Sequence, residues 1–352
     1  MPTLFDPITV GDLKLPNRII MAPLSRTRAT ALGRVPNAMM AQYYAQRASA
    51  GMILSEATSV SAMGVGYEYT PGIWSDEQIE AWKLVTSAVH SAGGKILLQL
   101  WHVGRISHPL FLDGKLPLAP SAIKPDGRLM LYRPETEYVA PRAVDRAEIP
   151  ALVEEFRQGA INAMKAGFDG VEIHGGNGYL IDQFLQDSTN ARTDDYGGSV
   201  ENRARFMLEI VDAAISIWGK GRVGAHIAPR GDMAAGDSNP LAIFSHLAAE
   251  LGRRDIAFLF AREHVGAGRI GPELRKAFGG IYIANEGFNF ESGQAVLANG
   301  EADAVSYGVL FIANPDLPAR FAAGARLNAL EPQHLYEGGP AGYTDYPALV
   351  DA

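Results

Sequence analysis

The chain has 352 residues, a formal net charge of −8 and no cysteine. Its length allows one large domain or two small ones with a substantial core, and its acidic balance argues against a nucleic-acid surface. The lack of cysteine excludes disulfides, thiolate nucleophiles and Cys-ligated metals, so any redox function must come from a bound cofactor.

The first residues, MPTLFDPITVGDLKLPNR, show no basic stretch followed by a long apolar run, so no signal peptide is expected. No segment approaches the roughly 18 apolar residues of a membrane span. The expected location is the cytoplasm, without membrane partners. Short apolar runs then alternate with stretches of helical period. RIIMAPLS (18–25) precedes a helix over 36–51, with Pro36 near its start and Gly51 at its end. GMILSEATSV (51–60) precedes a helix over 75–94 with Ser75 as N-cap. KILLQLWH (95–102) leads into a long irregular segment, 103–144.

Further on, helical 146–167 leads to FDGVEIH (168–174), 199–219 to RVGAHIAP (222–229), and 240–252 to DIAFLFAR (255–262). Helical 271–280 leads to IYIAN (281–285), 291–300 to ADAVSYG (302–308), and 315–324 closes the series. Strand–helix alternation implies a parallel sheet, and eight units imply an α/β fold of the closed (β/α)8 TIM-barrel type. A doubly wound open sheet would place Gly-x-Gly-x-x-Gly after an early strand, and strand one runs into Ala22-Pro23-Leu24-Ser25 instead. The expectation is a single domain over 1–352. Residues 1–17 form a cap at the barrel bottom, and 103–144 form a capping insertion on the functional face after strand three.

Barrel enzymes carry their chemistry at the C-terminal strand ends. Here those ends offer Ser25, Gln99, Trp101, His174, Asn177, His226, Arg262 and Asn285. No lysine stands among them, against a Schiff-base aldolase, and no His/carboxylate set has metal-ligand spacing. Gln99 can donate and accept at once, which suits the edge of a heterocycle. Glycine-bearing turns, Glu286-Gly287-Phe288 and Gly308, each open a helix whose N–H groups can hold a phosphate. A phosphate at one end and a hydrogen-bonding heterocycle at the other fit a flavin mononucleotide (FMN).

Over almost its whole length the chain resembles the Old Yellow Enzyme family of FMN-dependent ene-reductases. The resemblance is carried by LFDPITVGDLKLPNRIIMAPLSRTRA, by QLWHVGRISHP, and most specifically by HGGNGYLIDQFLQDSTNARTDDYGGSVENRARF (174–206). FIANPDLPARF (311–321) and GYTDYP (342–347) add to it. It implies that Pro23, Leu24 and Ser25 lie along the flavin and that Ala57 and Gln99 contact its ring. It implies that His174 and Asn177 bind the carbonyl oxygen of an activated alkene while Tyr179 delivers a proton. Tyr67, Trp101 and Tyr336 would line the substrate cavity. NAD(P)H would be the reductant, an enone, enal, maleimide or nitroalkene the small-molecule partner, and the protein a monomer or homodimer.

Two positions depart from the family pattern. His226 replaces the usual strand-five arginine, and Val309 follows Gly308 where the family has arginine or lysine. Each lost charge-assisted hydrogen bond is worth about 1.5–3 kcal/mol, so loose FMN binding through His226, Glu286, Gly287, Gly308 and Val309 is expected. Arg262 and Arg230 are the candidates to compensate. The alternative is a weakly flavin-binding barrel that serves as a binding protein, NAD(P)H oxidase or flavin reductase. Arg26 and Arg28 are equally open to a structural pair or a flavin contact, and His102, Arg105 and His108 are candidates to touch substrate.

Overall fold

A computed structural model describes residues 1–230 and 235–349. Eight strands form the barrel: β1 (Ile19–Met21), β2 (Met52–Leu54), β3 (Ile96–Trp101), β4 (Gly170–Gly175), β5 (Val223–Ile227), β6 (Phe258–Arg262), β7 (Tyr282–Asn285) and β8 (Ala304–Tyr307). Each pairs in parallel with its neighbour in chain order, and β8 pairs with β1 to close the ring. The closed (β/α)8 expectation holds.

The helices are α1 (Ala38–Ala45), α2 (Asp76–Ser91), α3 (Ile149–Lys165), α4 (Leu180–Leu185), α5 (Val200–Trp218), α6 (Pro240–Arg253), α7 (Gly271–Phe278), α8 (Phe290–Ala298), α9 (Val309–Ala313) and α10 (Leu317–Ala323). Ser75 caps α2 in a reciprocal capping box with Gln78, as its spacing predicts. Helix α1 is shorter than its sequence pattern. It starts after Asn37, whose side chain accepts from the N–H groups of Met39 and Met40, and gives way to tight turns beyond Ala45. Arg47 in those turns is buried and donates to the carbonyls of Tyr43, Phe311 and Ile312. Among the described residues no helix is long and apolar enough to cross a membrane.

Two apolar layers follow from the period of two along each strand. Outward residues such as Leu98, Val171, Ile173 and Ala225 pack against Trp82, Phe156 and Phe206 of the helices. Inward residues such as Ile20, Leu54, Leu97, Phe258 and Ile283 fill the barrel. The antiparallel hairpin Ile8–Val10/Leu13–Leu15 adds Val10, Leu13 and Leu15 to this inner layer and forms its floor. Near the other end the interior turns polar. The register sets Gln99 opposite Glu172 on β3/β4 and His174 opposite His226 on β4/β5.

Residues 103–144 are mostly irregular, with a short parallel ribbon of Leu118–Ala119 against Arg142–Ala143. Leu129 and Tyr138 of this segment pack with Ala57, Tyr67, Trp101, Val103 and Ile106. They wall one side of the barrel mouth.

Candidate active site

Two adjoining cavities open at the C-terminal ends of the strands. One, of about 270 Å³, is lined by Ser25, Ala57, Tyr67, Gln99, Trp101, His174, Tyr179 and Tyr336. The other, of about 480 Å³, is lined by His226, Asn285, Glu286, Gly287, Ser306, Gly308 and Val309. Pro23, Leu24, Asn177 and Arg262 belong to both. All the residues expected to hold flavin or substrate or to act on it, from Pro23 to Tyr336, therefore lie on one of the two, while the further candidates Arg26, Arg28, His102, Arg105, His108 and Arg230 line neither. The capping segment adds Met130 and Leu131, which have no motif to mark them.

The turn after β4 shapes the smaller cavity. Asn177 and Gly178 both take left-handed backbone angles, φ 60° and 74°, which asparagine and glycine adopt at least cost. The Gly178 N–H donates to the Asp182 carboxyl at 2.8 Å, which fixes the turn onto α4. Tyr179, first before that helix, meets Trp101 edge-on at 5.0 Å and His174 at 5.3 Å between ring centroids. The Tyr179 and Tyr67 hydroxyls are 3.1 Å apart. Burial pushes the Tyr179 hydroxyl up to about 12, against a partial lowering by the Tyr67 hydrogen bond. Burial, then the nearby His226 and Arg262, hold His174 well below the ordinary histidine range, so its imidazole is neutral.

Beneath these residues lies a buried polar chain. The Gln99 amide nitrogen donates to Glu172 Oε2 at 2.8 Å and to His226 Nδ1 at 3.1 Å. Both amide hydrogens are thus spent inside the barrel, and Gln99 offers the cavity its oxygen only. This corrects the expectation that it both donates and accepts there. With Nδ1 accepting, His226 carries its proton on Nε2, which is buried without a protein partner. Burial, and then the charge of Arg262, lower His226 to about 3. Glu172 was not singled out from the sequence, although alternation along VEIH places it on the same inward face as His174.

Arg262 donates from Nη1 to Asn177 Oδ1 at 2.9 Å and from Nη2 to Glu286 Oε1 at 2.7 Å. Of the two compensating arginines it is the one that reaches the cavities. Arg230 lies in an adjoining cleft that shares Arg262 and Glu286 with the larger cavity, and there it donates to the carbonyls of Ala267 and His264. The glycine-bearing turns expected to hold a phosphate both line the larger cavity. Asn289 caps α8 and accepts from the Ser292 N–H at 2.8 Å, and Gly308 stands at the N-terminus of the five-residue α9.

The remaining candidates are structural. Arg26 and Arg28 are buried and grip the carbonyls of His334, Leu335 and Gly342. His102 accepts from the Gly104 N–H, Arg105 donates to the Ile123 carbonyl, and His108 accepts from the Leu110 N–H, so each braces the capping segment.

Comparison with known proteins decides what this site belongs to. Residues 3–328 match the model of the NADH:flavin oxidoreductase / NADH oxidase family. The chain is 43% identical to 12-oxophytodienoate reductase 1 of Oryza sativa subsp. japonica, over 99% of this chain and 93% of that one. It superposes on the old yellow enzyme homologue from Zymomonas mobilis with a TM-score of 0.96 and 47% identity, covering 99% of this chain and 100% of that one. The chain belongs to the Old Yellow Enzyme family. Morphinone reductase in complex with tetrahydroNAD is also similar, at 47% identity and TM-score 0.96, covering 100% of this chain and 99% of that one.

As an Old Yellow Enzyme the protein is a nicotinamide-dependent flavin oxidoreductase with FMN as cofactor. The residues present fit the flavin ring. His226 Nε2 and Ser306 Oγ are buried polar atoms without protein partners, the Gln99 oxygen is available beside them, and Pro23 and Leu24 supply apolar surface. The larger cavity suits the ribityl tail. Its one cationic side chain among the described residues is Arg262, already paired with Glu286.

Proposed function

We propose that the protein is an ene-reductase that reduces the C=C bond of enones, enals, maleimides or nitroalkenes at the expense of NAD(P)H. The observation that carries this reading is the convergence of His174, Asn177 and Tyr179 on one aromatic-walled cavity beside the ring-fitting residues. Pro23, Leu24, Ser25, Ala57, Gln99 and His226 would hold the ring system, and Glu286, Gly287, Gly308 and Val309 the tail. FMN supplies the hydride, drawn from the nicotinamide and delivered to the alkene β carbon.

The side chains do the rest. Negative charge builds on the substrate's carbonyl or nitro oxygen as the β carbon is attacked. The neutral His174 imidazole and the Asn177 amide nitrogen are donors positioned to receive that charge, and removing one such donor costs about 3–4 kcal/mol of barrier. Arg262 occupies the Asn177 oxygen, which leaves the amide nitrogen for the substrate. Tyr179 keeps its proton at neutral pH because burial holds its hydroxyl near 12, and passes it to the α carbon as a general acid. The Tyr67 hydroxyl then steadies the phenolate. Tyr67, Trp101 and Tyr336 flank the alkene.

The test is anaerobic NADPH oxidation by the purified protein with added FMN. Cyclohexenone, or another activated alkene, should accelerate it and be converted to the saturated product. If no alkene in such a panel raises the rate, the reading fails in favour of an oxidase or flavin reductase with oxygen as acceptor.

A further inference from the structure

In barrels of this kind a ligand's phosphate is held by the loops after strands seven and eight. Here those loops line the larger cavity, and their charge balance is unusual for that task. Glu286 follows β7 directly and points its carboxylate into the cavity against Arg262, Nη2 to Oε1 2.7 Å. Val309 follows β8, is 53% exposed and presents an aliphatic side chain. His226 is a neutral donor at physiological pH, held near 3 by burial. No other lysine or arginine among the described residues lines this cavity. Among the described residues the one lining cation is thus paired with the one lining carboxylate, and no further side-chain charge there is set against a phosphate monoester with a charge near −2.

Arg262 cannot turn to such a phosphate without consequence. The same guanidinium holds Asn177 Oδ1 at 2.9 Å, so a move toward the tail would release the amide that faces the substrate. By contrast, the ring has Gln99, His226 and Ser306 for its polar edge and Pro23 and Leu24 for its face.

We propose that this site holds its flavin through the ring and ribityl chain and draws almost nothing from the phosphate, so that uncharged riboflavin is an equivalent ligand, with Glu286 as the residue that cancels the phosphate preference. The inference rests on the flavin reading above and goes beyond it in naming the ligand class the site accepts.

The experiment is a fluorescence titration of FMN and of riboflavin with protein freed of flavin by dialysis, at low and high salt. The two dissociation constants should agree within about threefold. FMN binding should hold or strengthen as salt rises, because screening weakens repulsion from Glu286. Glu286→Gln should tighten FMN by about tenfold and leave riboflavin unchanged. Val309→Arg, at an exposed position, should likewise favour FMN alone by about tenfold or more. A wild-type preference for FMN of about a hundredfold or more overturns the proposal, as does an unchanged FMN-to-riboflavin ratio in both variants. Failure of both flavins to bind overturns the flavin reading itself and this proposal with it.

Discussion

Arg262 on β6 donates to the side-chain oxygen of Asn177 in the turn after β4, at 2.9 Å. An asparagine amide can present either end, and this bond selects the nitrogen for the cavity. Arg262 is thereby a positioning residue, and its second bond, to Glu286, fixes the guanidinium in turn.

Arg262→Met should lower the rate of alkene reduction by about tenfold to a hundredfold through misplacement of Asn177. Arg262→Lys should recover little, because an ammonium lacks the forked donors that reach two partners at once. Stopped-flow measurement separates the steps. The alkene-dependent step should slow in both variants, and saturation with alkene should not restore it.

Tyr179→Phe removes the proposed proton donor, and alkene reduction should fall by about a hundredfold or more while NADPH still reduces the flavin. Tyr67→Phe should have a smaller effect in the same step. The pH profile gives a second check. The Tyr179 hydroxyl titrates near 12, and the acid form is the active one, so this group should impose no fall in rate below roughly pH 10.

Glu172 shows its presence in stability. Burial raises its carboxyl from 4.5 to about 8, so the fold favours the neutral acid. That contribution is full below the unfolded value and is lost as pH rises through the folded one. Glu172→Gln keeps an acceptor for Gln99 and cannot ionise. The melting temperature of the variant should therefore gain on the wild type progressively from roughly pH 5 to pH 9. The buried histidines act in the opposite direction. His102 and His226, both lowered to about 3 from 6.5 by burial, stabilise the fold above the ordinary histidine value and cease to do so as pH falls toward 3.

Arg28 tests the segment that carries Tyr336 to the cavity. It donates to the carbonyls of His334 and Leu335 at 2.8 Å each and lies 4.8 Å from the centroid of Tyr343. Arg28→Met should cost about 1.5–3 kcal/mol per lost charged hydrogen bond. In urea denaturation this appears as a lower midpoint. In kinetics it appears as a raised KM for alkene, since the wall around Tyr336 loosens while His174, Asn177 and Tyr179 stay in place.

The barrel was legible because its signal is local and repeated. Ser75 and the apolar runs of β3 and β4 mark their elements without help from distant residues. His174, Asn177 and Tyr179 could be singled out because they fall within six positions at the end of one strand. The hydrogen-bonded partners were less accessible. Gln99, Glu172 and His226 meet only through the register of β3, β4 and β5, and Arg262 reaches Asn177 across 85 positions of sequence. Donor commitments of this kind decide which atom faces a ligand, and residue type alone does not reveal them. Met130 and Leu131 escaped for another reason: a long irregular segment has no period to say which side chains turn inward.

The hairpin packed into the barrel floor has a consequence for traffic. With Val10, Leu13 and Leu15 packed into the lower end, the cavities that hold the candidate site lie at the C-terminal ends of the strands. In the ene-reductase reading proposed above, a reductant and an acceptor would share that one end of the barrel. Each would then have to vacate before the other could dock, so turnover would alternate strictly and an excess of either visitor would obstruct its successor.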